Sequence, residues 1–178
     1  MGTYIVSGRI RSGTSMMMRC LEFGGLKVIK KELKIENEID FPEDYHPNPN
    51  GFYEHRMIDY TNVDVGMATK ILGSHIEKLP VVDGLIYNIV VMIRPRAEII
   101  VSAKRAFNRE YDILSVSEIK DYIESRPDFH AVYLNYCDVV DNPTRELMKL
   151  KDAGWKFNVA EAATVPTPNL YRNRIHGR

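Results

Sequence analysis

The sequence predicts an α/β protein built on a central parallel β-sheet. Short β-branched and aromatic runs alternate along the chain with segments of helical periodicity, which is the order of repeated β–α–β units. Residues 87–93 are almost continuously apolar, as in a strand covered on both faces. The chain has 178 residues, enough for one compact domain and few for two. We therefore expect a single domain over residues 1–178.

The elements are expected in the following order. Strands are predicted at residues 3–7, 67–72, 87–93 and 131–135. Helices are predicted at residues 16–23, 76–79, 97–107, 115–124 and 143–154. Prolines and an Asn-Gly pair make residues 30–50 a loop, and two prolines with three arginines make residues 164–178 an extended C-terminal tail.

Cap and turn residues place several helix boundaries. Gly24-Gly25 is a strong stop signal for the first helix. Ser115, followed three residues later by Glu118, forms a capping box, and Pro143 suits the first turn of the last helix. The buried side of the 97–107 helix is predicted to carry Ile99, Ile100, Ala103 and Phe107.

Composition and charge argue against several classes of protein. Lys and Arg number 24, as do Asp and Glu, so no global attraction to nucleic acid or acidic membranes is expected. No apolar stretch approaches the ~20 residues that span a bilayer, and the N-terminus lacks a signal-peptide pattern. Cys20 and Cys137 imply no disulfide scaffold, and Cys20 is expected to be a small buried hydrophobe. We expect a cytoplasmic protein.

Residues 8–15, Gly-Arg-Ile-Arg-Ser-Gly-Thr-Ser, lie between the first predicted strand and the first predicted helix. Their Gly-x4-Gly spacing is that of a P-loop, in which backbone N–H groups and a helix N-terminus hold phosphate. Ser12, Thr14 and Ser15 add hydroxyl donors. The sequence favours an anion site here over a turn in which the glycines serve geometry alone.

One position in this loop restricts the class of ligand that the loop is expected to bind. Thr14 stands where nucleotide triphosphatases carry the lysine that reaches the β- and γ-phosphates. Arg11, inside the loop, can supply a cation instead. The expected ligand is therefore an anionic phosphate other than a magnesium triphosphate.

Residues 6–18, Val-Ser-Gly-Arg-Ile-Arg-Ser-Gly-Thr-Ser-Met-Met-Met, resemble the 5′-phosphosulfate-binding loop of bacterial sulfotransferases. Those enzymes use 3′-phosphoadenosine 5′-phosphosulfate (PAPS), and Ile10 here replaces their usual proline. The resemblance implies a three-layer P-loop (sulfotransferase-like) fold, PAPS as donor, 3′-phosphoadenosine 5′-phosphate (PAP) as product, and no metal. The loop residues expected to bind the donor are Arg9, Arg11, Ser12, Gly13, Thr14 and Ser15.

Further segments resemble the same family in the same order. Arg94 ends the strand 87–93, and Ser102 follows two helical turns later, so both side chains can converge on one anion. They match the family's 3′-phosphate-binding Arg and Ser, although Pro95 replaces an aspartate that is common there. Residues 135–143 and 170–174 also resemble family segments.

Catalytic candidates come from the resemblance and from the chemistry. Residues 48–55 resemble the family's Asn-Pro-x-Gly-Tyr-(Phe/Tyr)-Glu segment, which favours Glu54 as the base that takes the acceptor proton. His55 is the competing base because its pKa normally lies near neutrality. Arg11 would neutralise charge on the departing bridging oxygen. Lys70 matches a lysine that faces the family's active site, with a surface lysine as the alternative.

The function implied is transfer of a sulfuryl group from PAPS to a hydroxyl or amine of a small-molecule or carbohydrate acceptor. A non-catalytic nucleotide- or anion-binding module and a degenerate P-loop kinase or nucleotide hydrolase are the alternatives. The hydrolase would require magnesium-dependent ATP consumption, against which Thr14 argues. The histidines form no ligand-like spacing, so no metal site is proposed. Neither the acceptor nor the oligomeric state follows from the sequence.

Overall fold

The computed structural model describes residues 2–29, 65–107 and 115–167. Within these ranges a four-stranded sheet, parallel throughout, lies between helices. The strands are β1 (Gly2–Gly8), β2 (Ala68–Lys70), β3 (Ile86–Ile93) and β4 (Phe129–Asn135). The helices are α1 (Thr14–Phe23), α2 (Arg96–Phe107), α3 (Val116–Glu124), α4 (Tyr136–Asp141), α5 (Pro143–Asp152) and α6 (Val159–Ala162), with a 3₁₀ helix at Gly73–Lys78. The predicted α/β class with a parallel sheet is confirmed.

The strands lie in the spatial order β2-β1-β3-β4, which places β1 in the interior of the sheet. Beyond β2, Val28 forms an isolated parallel bridge with Ala68. After β1 the chain forms α1 on one face of the sheet, whereas the connection after β3 brings α3 onto the other face. The carboxyl ends of β1 and β3 thus flank a topological switch point, where ligands of open α/β sheets bind.

Two apolar layers hold the helices to the sheet, because successive residues of a strand face opposite sides. On one face Val6, Val90 and Leu134 pack against α1 and α5; on the other, Ile5, Ile89 and Val91 pack against α3 and the 3₁₀ helix. The first layer includes Met17, Met18, Leu21, Leu147 and Leu150, and the second includes Ile76, Ile119 and Ile123. Each such buried side chain contributes about 1.5–3 kcal/mol.

The predicted strands all form, and three of them do so within two residues of the expected bounds. The strand expected at 67–72 is shorter, since only Ala68–Lys70 pairs with β1. The placement of Ile100 on the buried side of α2 was wrong, because that side chain is 46% exposed. Ile99 and Ala103 are buried as predicted, whereas the side chain of Phe107 lies outside the described set.

Local signals in the sequence account for several further features. The capping box of α3 is present, since Ser115 Oγ accepts from the Glu118 N–H at 3.1 Å and Glu118 Oε2 accepts from the Ser115 N–H at 2.7 Å.

Cys20 is fully buried, and burial raises the pKa of its thiol to about 12. In the described part of the chain, no helix has the length and apolar character needed to cross a bilayer.

Arg126, just before β4, forms a bidentate ion pair and also contacts the segment that follows the 3₁₀ helix. Arg126 Nη2 and Nε lie 2.6 Å and 2.8 Å from the two oxygens of Asp128. The same guanidinium donates to the carbonyls of Leu79 and Pro80, at 3.1 Å and 3.3 Å. Asp128 therefore orients a side chain that joins two elements.

We expect Asp128→Asn to lower the free energy of unfolding by about 1–2 kcal/mol at neutral pH, because it removes a charge-assisted hydrogen-bond acceptor from a mostly buried guanidinium. Hydrogen bonds from Arg126 hold the pKa of Asp128 below its ordinary value. The carboxylate's contribution is therefore fully present above that ordinary value and lost as the pH falls through the lower pKa of the folded state. Urea unfolding of both proteins between pH 7 and pH 2 measures this.

Glu124→Gln is the matched control for this prediction. Glu124 also forms an ion pair, with Lys120 at 3.5 Å, but its side chain is 57% exposed. Exposed pairs contribute about 0–1 kcal/mol, so the control should change stability little at any pH. A loss for Asp128→Asn that persists unchanged at low pH would contradict the assignment to the ion pair.

Candidate functional site

The sequence-predicted binding residues in the described ranges meet at the carboxyl edge of the sheet. A loop of residues 9–13 follows β1 and leads into α1, and Lys70 ends β2. Arg94 follows β3 directly, and α2 returns Ser102 to the same place. These segments gather because neighbouring parallel strands all end at one edge.

The backbone of the loop is tightly turned. Gly8, Arg11 and Gly13 have positive φ angles of 143°, 62° and 100°. The Ser12 N–H donates to the Arg9 carbonyl at 3.1 Å, which closes a turn. A Cβ at Gly8 would lie 2.6 Å from both the Met92 carbonyl oxygen and Ser12 Oγ. Glycine is therefore required at Gly8 by contact as well as by conformation.

The amino end of α1 presents hydrogen-bond donors to this loop. Gly13 is its N-cap, no side chain caps the helix, and its first turn holds no acidic residue. Its first N–H groups therefore carry the partial positive charge of a helix N-terminus. The hydroxyl of Ser12 is fully buried and has no hydrogen-bond partner among the residues that the structure describes. Buried hydroxyls are normally bonded, so a donor set of this kind suits a bound anion.

Lys70 lies against the first turn of α1. Its side chain is buried, with 6% exposure, and Nζ donates to Ser15 Oγ at 3.2 Å. Lys70 is therefore not a surface lysine. Its position at the end of β2 brings an ammonium group to the loop of residues 9–13 and the start of α1, where Thr14 stands at the position of the usual P-loop lysine.

Arg11 joins the two predicted phosphate-binding segments. Arg11 Nε donates to Ser102 Oγ at 3.1 Å, and Arg94 Nη1 donates to the Arg11 carbonyl at 3.2 Å. Arg94 and Ser102 are both buried. Arg94 and Ser102 thus each contact Arg11, Arg94 at its backbone carbonyl and Ser102 at its side chain.

Glu98 and Tyr136 also belong to this site, and sequence reasoning missed them. Arg94 Nε lies 2.9 Å from Glu98 Oε2, with both side chains only 6% exposed. The guanidinium of Arg94 stacks 4.5 Å above the centre of the Tyr136 ring. The four-residue spacing from Arg94 to Glu98, across the start of the predicted helix, was the signal that would have found Glu98. For Tyr136 the sequence offered only the family-like segment in which it occurs.

Tyr136 supports the loop as well as Arg94. A Cβ added to Gly13 would lie 2.3 Å from Tyr136 Cδ2, so the ring packs directly on the backbone of the loop. Burial raises the pKa of the Tyr136 phenol, and the nearby Arg94 and Arg11 cations oppose that rise. The phenol thus stays neutral at neutral pH and serves as a flat surface between Gly13 and Arg94.

Arg9 is a further cation at this edge. It is 9% exposed, and its Nη2 donates to the carbonyl of Arg94. Within residues 2–29, 65–107 and 115–167, no acceptor is bonded to its Nε. Burial lowers the pKa of Arg9, with a smaller contribution from Arg96.

The electrostatics of the edge favour an anion. Arg9, Arg11, Lys70 and Arg94 bring four cationic groups together, of which three are buried. Burying cations is costly unless negative charge accompanies them. Glu98, among the described residues, supplies a carboxylate to this group through Arg94. A phosphate or sulfate ester bound at the loop would add further negative charge close to these cations.

The remaining residues and segments predicted from the sequence lie outside the part of the chain that the structure describes. Glu54, His55 and the predicted loop 30–50 are outside the described residues, as is the tail beyond residue 167. Within residues 2–29, 65–107 and 115–167, no group of three or more His, Cys, Asp or Glu side chains is placed to hold a metal ion.

Comparison with known proteins leaves the site to be interpreted from its own chemistry. Neither models of known protein families nor curated protein sequences match this chain. Fold and site together define an α/β protein whose parallel sheet carries a cationic, glycine-bounded loop at its carboxyl edge.

Proposed function

We propose that this protein is a sulfotransferase that moves a sulfuryl group from PAPS to a hydroxyl or amine of a small-molecule or carbohydrate acceptor. The observation that supports it most is the contact between Arg11 and Ser102. Arg11 belongs to the loop assigned to the phosphosulfate, and Ser102 belongs to the segment assigned to the 3′-phosphate. A nucleotide with phosphates at both ends is the ligand that needs these two segments side by side.

In this proposal the 5′-phosphosulfate lies at the amino end of α1. The backbone N–H groups of Gly13, Thr14 and Ser15 and the hydroxyl of Ser12 would hold it. Support comes from the start of α1 and from the buried Ser12 hydroxyl, since in the described part of the chain no side chain caps the one or bonds to the other. Lys70 Nζ, bound to Ser15 Oγ at 3.2 Å, is close enough to help bind the sulfuryl oxygens.

The 3′-phosphate would bind at Arg94 and Ser102. Both side chains are buried next to Arg11, so an anion there would meet two guanidinium groups and a hydroxyl. Glu98 holds the Arg94 guanidinium from the other side, which fixes its orientation. A fixed arginine loses little side-chain entropy when the ligand binds.

The reaction proceeds without a change of oxidation state. The acceptor oxygen or nitrogen forms a bond to sulfur, the bond from sulfur to the bridging phosphate oxygen breaks, and PAP leaves. The acceptor's proton goes to Glu54 or, as the alternative, to His55. Arg11 stabilises the negative charge that grows on the bridging oxygen.

The loop favours this donor over a magnesium triphosphate. Thr14, at the position of the usual P-loop lysine, is 3% exposed and provides no cation. The cations come instead from Arg11 within the loop and Lys70 on β2. A triphosphate chain would lack the lysine that normally spans its β- and γ-phosphates.

The first test is nucleotide binding, measured by thermal unfolding and calorimetry. PAP at about 100 times its Kd should stabilise the protein by about 2.7 kcal/mol, because it binds the native state selectively. Ser102→Ala should weaken PAP binding about tenfold, corresponding to about 1.4 kcal/mol for a hydrogen bond to a charged group. Lys104→Ala, on the exposed side of α2, is the matched control and should bind as the wild type does.

Two outcomes decide against the proposal. No stabilisation by PAP at millimolar concentration, or stronger binding of magnesium ATP than of PAP, would contradict the donor assignment. PAP binding without transfer from PAPS to any acceptor in a broad panel of alcohols, sugars and amines would identify a non-catalytic binding module instead.

A further inference from the structure

The sequence predicts Arg9 as a donor-binding residue, but its contacts point to a different role. It follows β1 directly and is buried, although an isolated guanidinium is costly to bury. Its Nη2 donates to the backbone carbonyl of Arg94, which lies across the site at the end of β3. The contact therefore joins the base of the loop to the junction between β3 and α2.

Arg94 makes the opposite connection. Its Nη1 donates to the carbonyl of Arg11 at 3.2 Å, from the β3–α2 junction back to the loop. Each segment thus holds the backbone of the other through an arginine side chain. These bonds end on Arg94 and Arg11, the residues that carry the cations of the two subsites.

The conformation of Arg11 shows why such a connection is needed. Its φ of 62° lies in the left-handed region, which costs a residue with a side chain about 1–2 kcal/mol. Strain of this kind persists only where surrounding contacts fix the conformation. The bond from Arg94 to the Arg11 carbonyl is one such contact, and Arg9 in turn holds the backbone of Arg94.

We propose that Arg9 is a positioning residue that couples the two phosphate subsites, so that a nucleotide bearing both phosphates binds them as one unit. This inference rests on the proposed function, since it concerns the same two subsites. Arg9 acts through the backbone of Arg94 and therefore affects a ligand that spans the site more than a ligand that occupies one end. The substrate class is a nucleotide phosphorylated on both its 3′- and 5′-oxygens.

The test compares three probes on the full chain by calorimetry: PAP, adenosine 5′-monophosphate and adenosine 3′-monophosphate. Arg9→Met should weaken PAP binding about tenfold, within the range of measured coupling between neighbouring residues. Each monophosphate should lose less than about threefold. Arg9→Lys, which keeps the charge and one donor for the Arg94 carbonyl, should recover most of the PAP affinity. Lys104→Met is the exposed control and should change none of the three.

The comparison separates coupling from other roles. A loss for one monophosphate as large as that for PAP would show that Arg9 contacts that phosphate directly, and would overturn the inference. Equal losses for all three probes, with a lower Tm without ligand, would show a general structural role and also overturn it. If Arg9→Met does not fold, Arg9→Gln provides the same comparison, with Arg9→Lys again as the conservative variant. Wild-type protein that binds no PAP would overturn the proposed function itself, whereas PAP binding left unchanged in every Arg9 variant would overturn only the coupling.

Discussion

Arg11→Ala should lower the rate of sulfuryl transfer by about 10²–10³-fold, while PAP affinity falls by about tenfold or less. Arg11 is the loop cation between the two proposed subsites, with Nε 3.1 Å from Ser102 Oγ. Charge grows on the bridging oxygen only as its bond to sulfur breaks, so a fixed guanidinium there stabilises the transition state more than the ground state. Removal of one such donor from a preorganised site typically costs 10²–10³ in kcat, or about 2.7–4 kcal/mol. Steady-state kinetics with PAPS and calorimetry with PAP measure the two effects separately.

Two companion variants keep the result interpretable. Arg11→Gly removes the same side chain and also relieves the left-handed backbone, where φ is 62°. It should therefore be at least as stable as Arg11→Ala and equally slow. Arg11→Lys keeps a cation but not the planar group that donates from Nε, so it should recover part of the rate. Transfer by Arg11→Ala at the wild-type rate would remove Arg11 from the catalytic role.

The framework of the fold was predictable because its signals are local. Residues 87–93 are apolar on both faces, and Ser115 with Glu118 satisfies both halves of a capping box. Such patterns depend on residues that are close in sequence, and they indicate the same local structure whatever the rest of the chain packs against them. α4 was missed because it begins at Tyr136 directly after β4, with no side-chain cap to mark its start. α6 did carry a signal, since Asn158 Oδ1 caps it by accepting from the Ala160 N–H at 3.0 Å.

The error at Ile100 has a physical explanation that bears on the site. The side of α2 that faces inward carries Glu98 and Ser102 together with Ile99 and Ala103. Glu98 is buried there because it forms an ion pair with Arg94. The hydrophobic pattern alone predicted Ile100 on this buried side of α2. It did not predict Glu98 there, because a buried carboxylate is expected only where its partner is already known.

The sequence suggested candidate residues for the site but not the contacts among them. The loop, Lys70, Arg94 and Ser102 became candidates because glycine spacing and basic residues at strand ends are visible in sequence. The contacts of Arg94 with Tyr136 and with the Arg11 carbonyl join residues from three strand ends, and no local pattern encodes them. Long-range packing of this kind depends on the order of the strands in the sheet, and local sequence patterns do not reveal that order.

Gly13→Ala should lower the free energy of unfolding by about 2–4 kcal/mol and remove detectable PAP binding. Two costs combine at this position. The φ angle of Gly13 is 100°, which strains any residue with a Cβ, and the added Cβ would lie 2.3 Å from Tyr136 Cδ2. Tyr136 cannot move freely, because Arg94 stacks on its ring at 4.5 Å. Relief of the clash therefore displaces both the loop and Arg94, the cation of the proposed 3′-phosphate subsite. Urea unfolding and PAP calorimetry measure the two consequences.

Gly25→Ala separates these two costs. Gly25 follows the other end of α1 with a φ of 85°, but a Cβ there would meet nothing within 4 Å. It should therefore lose only the conformational term of about 1 kcal/mol and bind PAP normally. The additional loss of unfolding free energy in Gly13→Ala then measures the contact with Tyr136. In a double-mutant cycle, combining Tyr136→Ala with Gly13→Ala should recover part of that additional loss. If Gly13→Ala and Gly25→Ala lose equal stability, the Tyr136 ring does not fix the loop, and the loop must be held by its arginine contacts instead.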